Sequence, residues 1–190
     1  MTLEGAGLPP DLAHAIRLVV LDVDGVLTDG GIYLGASDSG ERLEMKRFEI
    51  TDGLGVRLLQ RAGIEVAIVT GRMSEVVAMR ARELEIDEVH QDAGARKLPA
   101  VSEMLRRKGL DWGAVACVAD DLPDLPLLRR VALPVAVANA VPEVKAVVRW
   151  YTRRRGGQGA VREFAEALLK ARRAWTPTVD AYLDEREGTP

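Results

Sequence analysis

Leu18-Val19-Val20-Leu21-Asp22-Val23-Asp24-Gly25-Val26-Leu27-Thr28 is the stretch on which the fold of this chain turns. An apolar run that ends abruptly in carboxylates reads as a strand buried on both faces, and in open parallel sheets chemistry gathers just beyond the carboxyl ends of strands. Asp22 and Asp24 stand at that exit with no basic neighbour in the motif. Two such acids repel each other and raise at least one pKa unless a cation sits between them. The pattern suits a magnesium site combined with a carboxylate nucleophile. Taken alone, Asp-x-Asp-Gly is equally an acidic loop that happens to follow a strand.

Outward from this run, apolar stretches alternate with helical patterns. Residues 29–34 and 42–50 flank the polar turn Gly35-Ala36-Ser37-Asp38-Ser39-Gly40 and read as a β-hairpin. Asp52 is placed to cap a helix carrying Leu54, Val56, Leu58 and Leu59 that stops near Gly63. Ile64 to Thr70 reads as a buried strand, 74–84 as a helix, 88–90 as a short strand, 95–108 as a helix, 114–119 as a strand and 122–130 as a helix. Leu133-Pro134-Val135-Ala136-Val137 is a further strand whose proline argues for a sheet edge or a strand start. An amphipathic helix over 158–173 carries Val161, Phe164, Ala165, Leu168 and Leu169 along one side. Strands alternating with helices predict an α/β fold, a doubly wound, mainly parallel sheet with a hairpin insertion. The core is expected over 17–175, with flexible segments at 1–16 and 176–190.

Composition narrows the function. The chain has 190 residues, 47% hydrophobic and 29% charged, enough for one sizeable core. A net charge of −3 gives no general attraction to nucleic acid or anionic lipid. No stretch approaches the roughly 18 apolar residues of a membrane helix, so no membrane association and a cytoplasmic location are expected. Cys117, the one cysteine, lies in an apolar run and reads as a small buried hydrophobe. His14 and His90 have no paired ligands around them and read as structural or solvated.

The remaining chemistry sits at the strand ends. Ile64 to Thr70 is followed by Gly71 and Arg72: a hydroxyl, a residue that lets backbone amides approach an anion, and a guanidinium. Lys97 opens a helix, and 114–119 runs into Asp120-Asp121 with Asp124 one turn further on. Alone, Thr70 is an ordinary strand residue, Lys97 a solvated charge and the acid pair a helix cap. Together they converge at one sheet edge. Carboxylates for magnesium, plus hydroxyl and ammonium donors around three phosphoryl oxygens, are what phosphoryl transfer requires.

In order and spacing, Asp22-x-Asp24-Gly25-Val26, Thr70, Lys97 and Asp120-Asp121-x-x-Asp124 resemble the four motifs of the haloacid dehalogenase-like phosphatases. More narrowly the chain resembles the capless branch acting on 3-deoxy-D-manno-octulosonate 8-phosphate, through 22–30, Lys46-x-Phe48, Asp52-Gly53-Leu54-Gly55, Thr70-Gly71-Arg72 and 156–163. Ala119 departs from the usual glycine before the acid pair, and Thr51 from the arginine or other polar residue common before Asp-Gly. The resemblance implies Asp22 as nucleophile and Asp24 as general acid and base, Thr70, Gly71 and Lys97 on phosphate, and Mg²⁺ on Asp22, Asp120 and the Asp24 backbone carbonyl. It further implies Asp121 and Asp124 supporting that metal site, and Arg72, Lys46 and Arg154 on the sugar acid. It carries a place in lipopolysaccharide biosynthesis and a homotetramer in which hairpins pack together and a carboxy-terminal segment nears a neighbour's site. Two rivals remain: a phosphatase for a nine-carbon sialic-type sugar acid 9-phosphate, disfavoured by Arg72 where those relatives tend to carry an acid, and a phospho-receiver signalling module.

Overall fold

The computed structural model describes residues 3–4 and 7–188. In chain order the elements are β1 (Leu3–Glu4), α1 (Pro10–Ala15), β2 (Leu18–Leu21), β3 (Tyr33–Ala36), β4 (Arg42–Met45), α2 (Ile50–Arg61), β5 (Glu65–Thr70), α3 (Glu75–Glu83) and β6 (Glu88–Gln91). They continue with α4 (Lys97–Lys108), β7 (Val115–Ala119), α5 (Leu125–Leu128), β8 (Leu133–Ala136), α6 (Pro142–Lys145), β9 (Trp150–Tyr151), α7 (Ala160–Ala171) and α8 (Trp175–Glu187).

Seven strands form one parallel sheet in the order β1-β9-β8-β7-β2-β5-β6, and β3 and β4 form a separate antiparallel hairpin. The chain leaves β2 toward β5 and β6, then returns to β7 on the other side of β2. That reversal is a topological switch point, where loops from adjacent strands diverge and open a crevice. β2 lies inside the sheet between β7 and β5, all four residues buried. Its Leu21 is level with Ile68 of β5 and Val118 of β7, so Asp22, Thr70 and Asp120 emerge from adjacent strands at one edge.

Helical periodicity explains the layers. α7 buries Ala160, Val161, Phe164, Ala165, Leu168 and Leu169, the i, i+3/i+4 stripe of an amphipathic helix, and packs on α2. Phe164 meets Trp150 at the sheet margin with centroids 6.0 Å apart. Cys117 is fully buried, as a small hydrophobe in a central strand should be.

Three expectations are corrected, and one, the place of Pro134, is narrowed to a strand start. α2 begins at Ile50, and Asp52 does not cap it: its carboxylate accepts from Gly159 N at 3.2 Å and Arg162 N at 2.8 Å, so it caps the start of α7 instead. Pro134 stands near the start of β8 but not at a sheet edge, because β9 and β1 pair beyond it. The segment 122–130 is not one helix; a tight turn at 122–124, opened by Pro123, precedes the short α5. Both segments set aside as flexible ends contain helices: α1 is anchored by buried Ala13, with Ile16 just beyond it, and α8 by Arg61, which pairs with Glu185 and lies 5.5 Å from the Tyr182 ring centroid. Neither helix has the long apolar periodicity that announces one in sequence.

Candidate active site

Just past β2 the chain makes one wide turn over Val23 to Leu27, closed by Thr28 N donating to Val23 O at 3.0 Å. Gly25 lies at φ +87°, and a Cβ there would stand 2.0 Å from Asp120 Oδ2, so the turn closes only on glycine. Thr28, fully buried, holds the turn from inside: its hydroxyl accepts from Gly25 N and Gly30 N and donates to Val23 O. This places Asp22 and Asp24 on opposite sides of the strand exit.

Asp22 faces inward. Lys97 Nζ stands 2.7 Å from Asp22 Oδ1 and 2.6 Å from Asp124 Oδ1, all three groups buried. Carboxylate oxygens of Asp22, Asp120 and Asp124 lie within 4.8 Å of one another. Burial raises the Asp22 carboxyl above its ordinary value, and Lys97 offsets that only in part. Burial, then the charge of Asp22, pushes Asp120 up to about 7 and Asp124 up to about 7. For Lys97 burial works downward, yet Asp22 and Asp124 outweigh it and hold the ammonium charged. Three oxygen-bearing acids that resist sharing their charge are a donor set matched to a small hard dication, whose charge would relieve that repulsion.

Asp24 faces the hairpin. Its carboxylate receives the buried Lys46 ammonium, and Arg72 Nε stands 3.6 Å from its other oxygen. Glu44, which the sequence reading passed over, lies 3.8 Å from Lys46 Nζ and 3.8 Å from Arg72, and accepts from Ser74 Oγ at 2.9 Å. The signal for Glu44 was present: period-2 alternation puts it on the Lys46 face of β4, opposite Leu43 and Met45.

The other sequence candidates divide. Thr70 is buried at the end of β5, followed by Gly71 at the same edge. Asp121 turns away, its Oδ1 accepting from Leu122 N at 2.7 Å as a cap. Arg154 is not brought to this cluster; its guanidinium lies against Gly159 and lines a separate cavity of about 850 Å³ with Arg153, Arg162 and Trp150. Asn139 was missed for lack of any local pattern: its amide donates to Gly25 O at 2.9 Å and accepts from Gly156 N at 2.7 Å, clamping the carboxylate turn to the 156–159 loop.

Residues 88–163 match the haloacid dehalogenase-like hydrolase family, the class of protein that this fold and site define. Over nearly the whole length the similarity is narrower. The chain is 44% identical over 176 residues to 3-deoxy-D-manno-octulosonate 8-phosphate phosphatase KdsC of Escherichia coli (strain K12), covering 93% of this chain and 87% of that one. It superposes on the Moraxella catarrhalis 3-deoxy-D-manno-octulosonate 8-phosphate phosphatase, solved with a magnesium ion, a phosphate ion and a KDO molecule, with TM-score 0.83, 37% identity and coverage of 91% and 97%. The cobalt-bound Haemophilus influenzae deoxy-D-mannose-octulosonate 8-phosphate phosphatase gives TM-score 0.78 at 34% identity, covering 87% and 94%. The chain belongs to this phosphatase family within the haloacid dehalogenase-like hydrolases.

Proposed function

We propose that this chain is a Mg²⁺-dependent phosphoric monoester hydrolase that converts 3-deoxy-D-manno-octulosonate 8-phosphate to the free sugar acid and inorganic phosphate. The observation that carries the reading is a pair of adjoining clusters at one sheet edge: Lys97 among Asp22, Asp120 and Asp124, and beside it Lys46 and Arg72 around Asp24. The first suits a phosphoryl group and the second a carboxylate-bearing sugar. The relatives' activity on the octulosonate phosphate, named above, selects the substrate.

In this mechanism an Asp22 oxygen attacks phosphorus, and the bond to the sugar oxygen breaks as Asp24 gives that oxygen a proton. An aspartyl-phosphate remains. Asp24, now a carboxylate, takes a proton from water, which attacks phosphorus and frees Asp22 and phosphate. Thr70, the Gly71 backbone and Lys97 hold the equatorial oxygens, and Lys97 keeps Asp22 aimed and partly neutralised in a buried setting. Magnesium, held by Asp22, Asp120 and the Asp24 carbonyl with Asp124 in support, would neutralise charge on the phosphoryl oxygens.

The surface supports an assembly. The hairpin and its surroundings expose Tyr33, Leu34, Leu43, Met45 and Ile50, the last 80% accessible, an apolar area that other copies of the chain would cover in a homotetramer. There the Arg153-Arg154-Arg155 segment nears a neighbour's site. Among the described residues no helix is long and apolar enough to cross a membrane, and the enzyme is assigned to the cytoplasm.

A panel of sugar phosphates, assayed for phosphate release with and without Mg²⁺, tests this reading. Preferential, Mg²⁺-dependent release from the octulosonate phosphate is expected. Equal rates on the nine-carbon acid phosphate and on neutral sugar phosphates would reject the substrate assignment.

A further inference from the structure

Arg72 stands between two carboxylates and is captured by neither. Its contacts are 3.6 Å to Asp24 Oδ2 and 3.8 Å to Glu44 Oε2, longer than hydrogen bonds, and its Nε–H is buried without an acceptor. A buried donor left unmade is costly, so an arginine kept this way is poised for an acceptor that arrives with the ligand. Lys46 has the same neighbours but a different balance: it closes on Asp24, with Glu44 3.8 Å away.

Glu44 produces this division. Without it, two cations would face the single carboxylate of Asp24, and the guanidinium fork would close on it bidentately, the geometry arginine prefers. Glu44 supplies the counter-charge that draws Arg72 off. On its own hairpin Arg42 stands 3.7 Å and Lys46 3.8 Å from it, and the core adds a hydrogen bond: Ser74 Oγ donates to Glu44 Oε1 at 2.9 Å, and Ser74 N donates to Gln91 Oε1 at 2.6 Å at the end of β6. A chain of polar contacts thus ties β4 to the sheet edge through the start of α3.

We propose that Glu44 is a positioning residue for substrate specificity: anchored by Ser74, it holds Arg72 away from Asp24 and aims its free donor at the carboxylate of the sugar acid phosphate. The proposal rests on the substrate reading above and adds the residue that makes it selective.

The test compares kcat and KM of the full-length enzyme on 3-deoxy-D-manno-octulosonate 8-phosphate and on p-nitrophenyl phosphate, which has no carboxylate. Glu44→Ala should raise KM for the sugar acid phosphate about tenfold or more, the loss typical of a misaligned charge-assisted contact, with kcat changed far less. The ratio of kcat/KM values between the two esters should fall accordingly. Glu44→Asp should restore part of the ratio. Ser74→Ala should shift it in the same direction by less, and add nothing in the Glu44→Ala background, because it acts through Glu44. A wild-type enzyme with no preference for the carboxylated ester overturns both the substrate reading and this proposal. A preference that survives Glu44→Ala, equal losses on both esters, or a tighter KM on removing the negative charge overturns the proposal alone.

Discussion

The Gly25 carbonyl oxygen stands 1.7 Å from where a Cβ on Gly156 would lie. The backbone of the 156–159 loop therefore packs directly against the turn that carries Asp22 and Asp24, with Asn139 bonded to both residues. A methyl group at 156 collides with backbone that no rotamer change can move. Gly156→Ala should cost at least the roughly 1–3 kcal/mol of overpacking, lower Tm by about 2–4 °C per kcal/mol, and cut kcat by displacing the turn. Wild-type Tm and kcat in that variant would show that the two loops separate freely.

Asp120 and Asp124, each raised to about 7 from 3.8, retain protons in the metal-free fold that the unfolded chain releases. Between about pH 4 and pH 7 the native state binds more protons than the unfolded one, so their contribution to stability falls as pH rises through that window. Magnesium requires these carboxylates ionised, and its binding expels the protons. The Tm difference between excess Mg²⁺ and EDTA should therefore be wider at about pH 8 than at about pH 5. A gap indifferent to pH would remove these acids from the ion's site.

Asp22→Asn should abolish turnover with the fold intact by circular dichroism, since both chemical steps pass through that carboxylate. Asp24→Asn should slow the reaction roughly 10²–10⁴-fold, the usual worth of general acid–base catalysis. Substantial activity in folded Asp22→Asn protein would assign the nucleophile elsewhere.

The difference between these residues and Glu44 or Asn139 shows what a sequence makes legible. Asp22, Thr70, Lys97 and Asp120 each end a strand or open a helix, so periodicity places them at one sheet edge before any contact is known. Asn139 lies in an irregular loop and meets Gly25 across 114 positions, a proximity no local pattern encodes. Asp52 shows the converse. Its local signal, an acid near a helix start, was read as the cap of its own helix, whereas tertiary packing turns the carboxylate onto α7. α1 and α8 were missed because short or weakly amphipathic helices are held by a few contacts rather than by an apolar stripe.

Apolar side chains stranded on the hairpin carry the assembly prediction. Tyr33, Leu34 and Met45 are 59%, 63% and 62% accessible on a two-stranded ribbon, which is marginal in water by itself. Light scattering should give about four times the 20.7 kDa of one chain. Met45→Glu, placing charge in the proposed contact, should shift the population toward smaller species and lower activity on the sugar acid phosphate. An active monomer at working concentration would refute the tetramer.

Arg72 offers the sharpest separation between the phosphate end and the sugar end of the site. Lys97 serves the phosphoryl cluster, and Lys46, not Arg72, closes on Asp24, so the acid–base chemistry has its cation without the guanidinium. Removing Arg72 should then spare an ester with nothing for it to bind. On a substrate with a carboxylate, the lost charge-assisted contact is worth roughly 1.5–3 kcal/mol, about a 10- to 150-fold fall in kcat/KM. Arg72→Lys, which keeps the charge but not the planar fork, should recover only part of that loss. Parallel measurements on the octulosonate phosphate and p-nitrophenyl phosphate decide the matter: a fall confined to the first places Arg72 on the carboxylate. Matching falls on both would mean that it supports Asp24, and the carboxylate would need another partner.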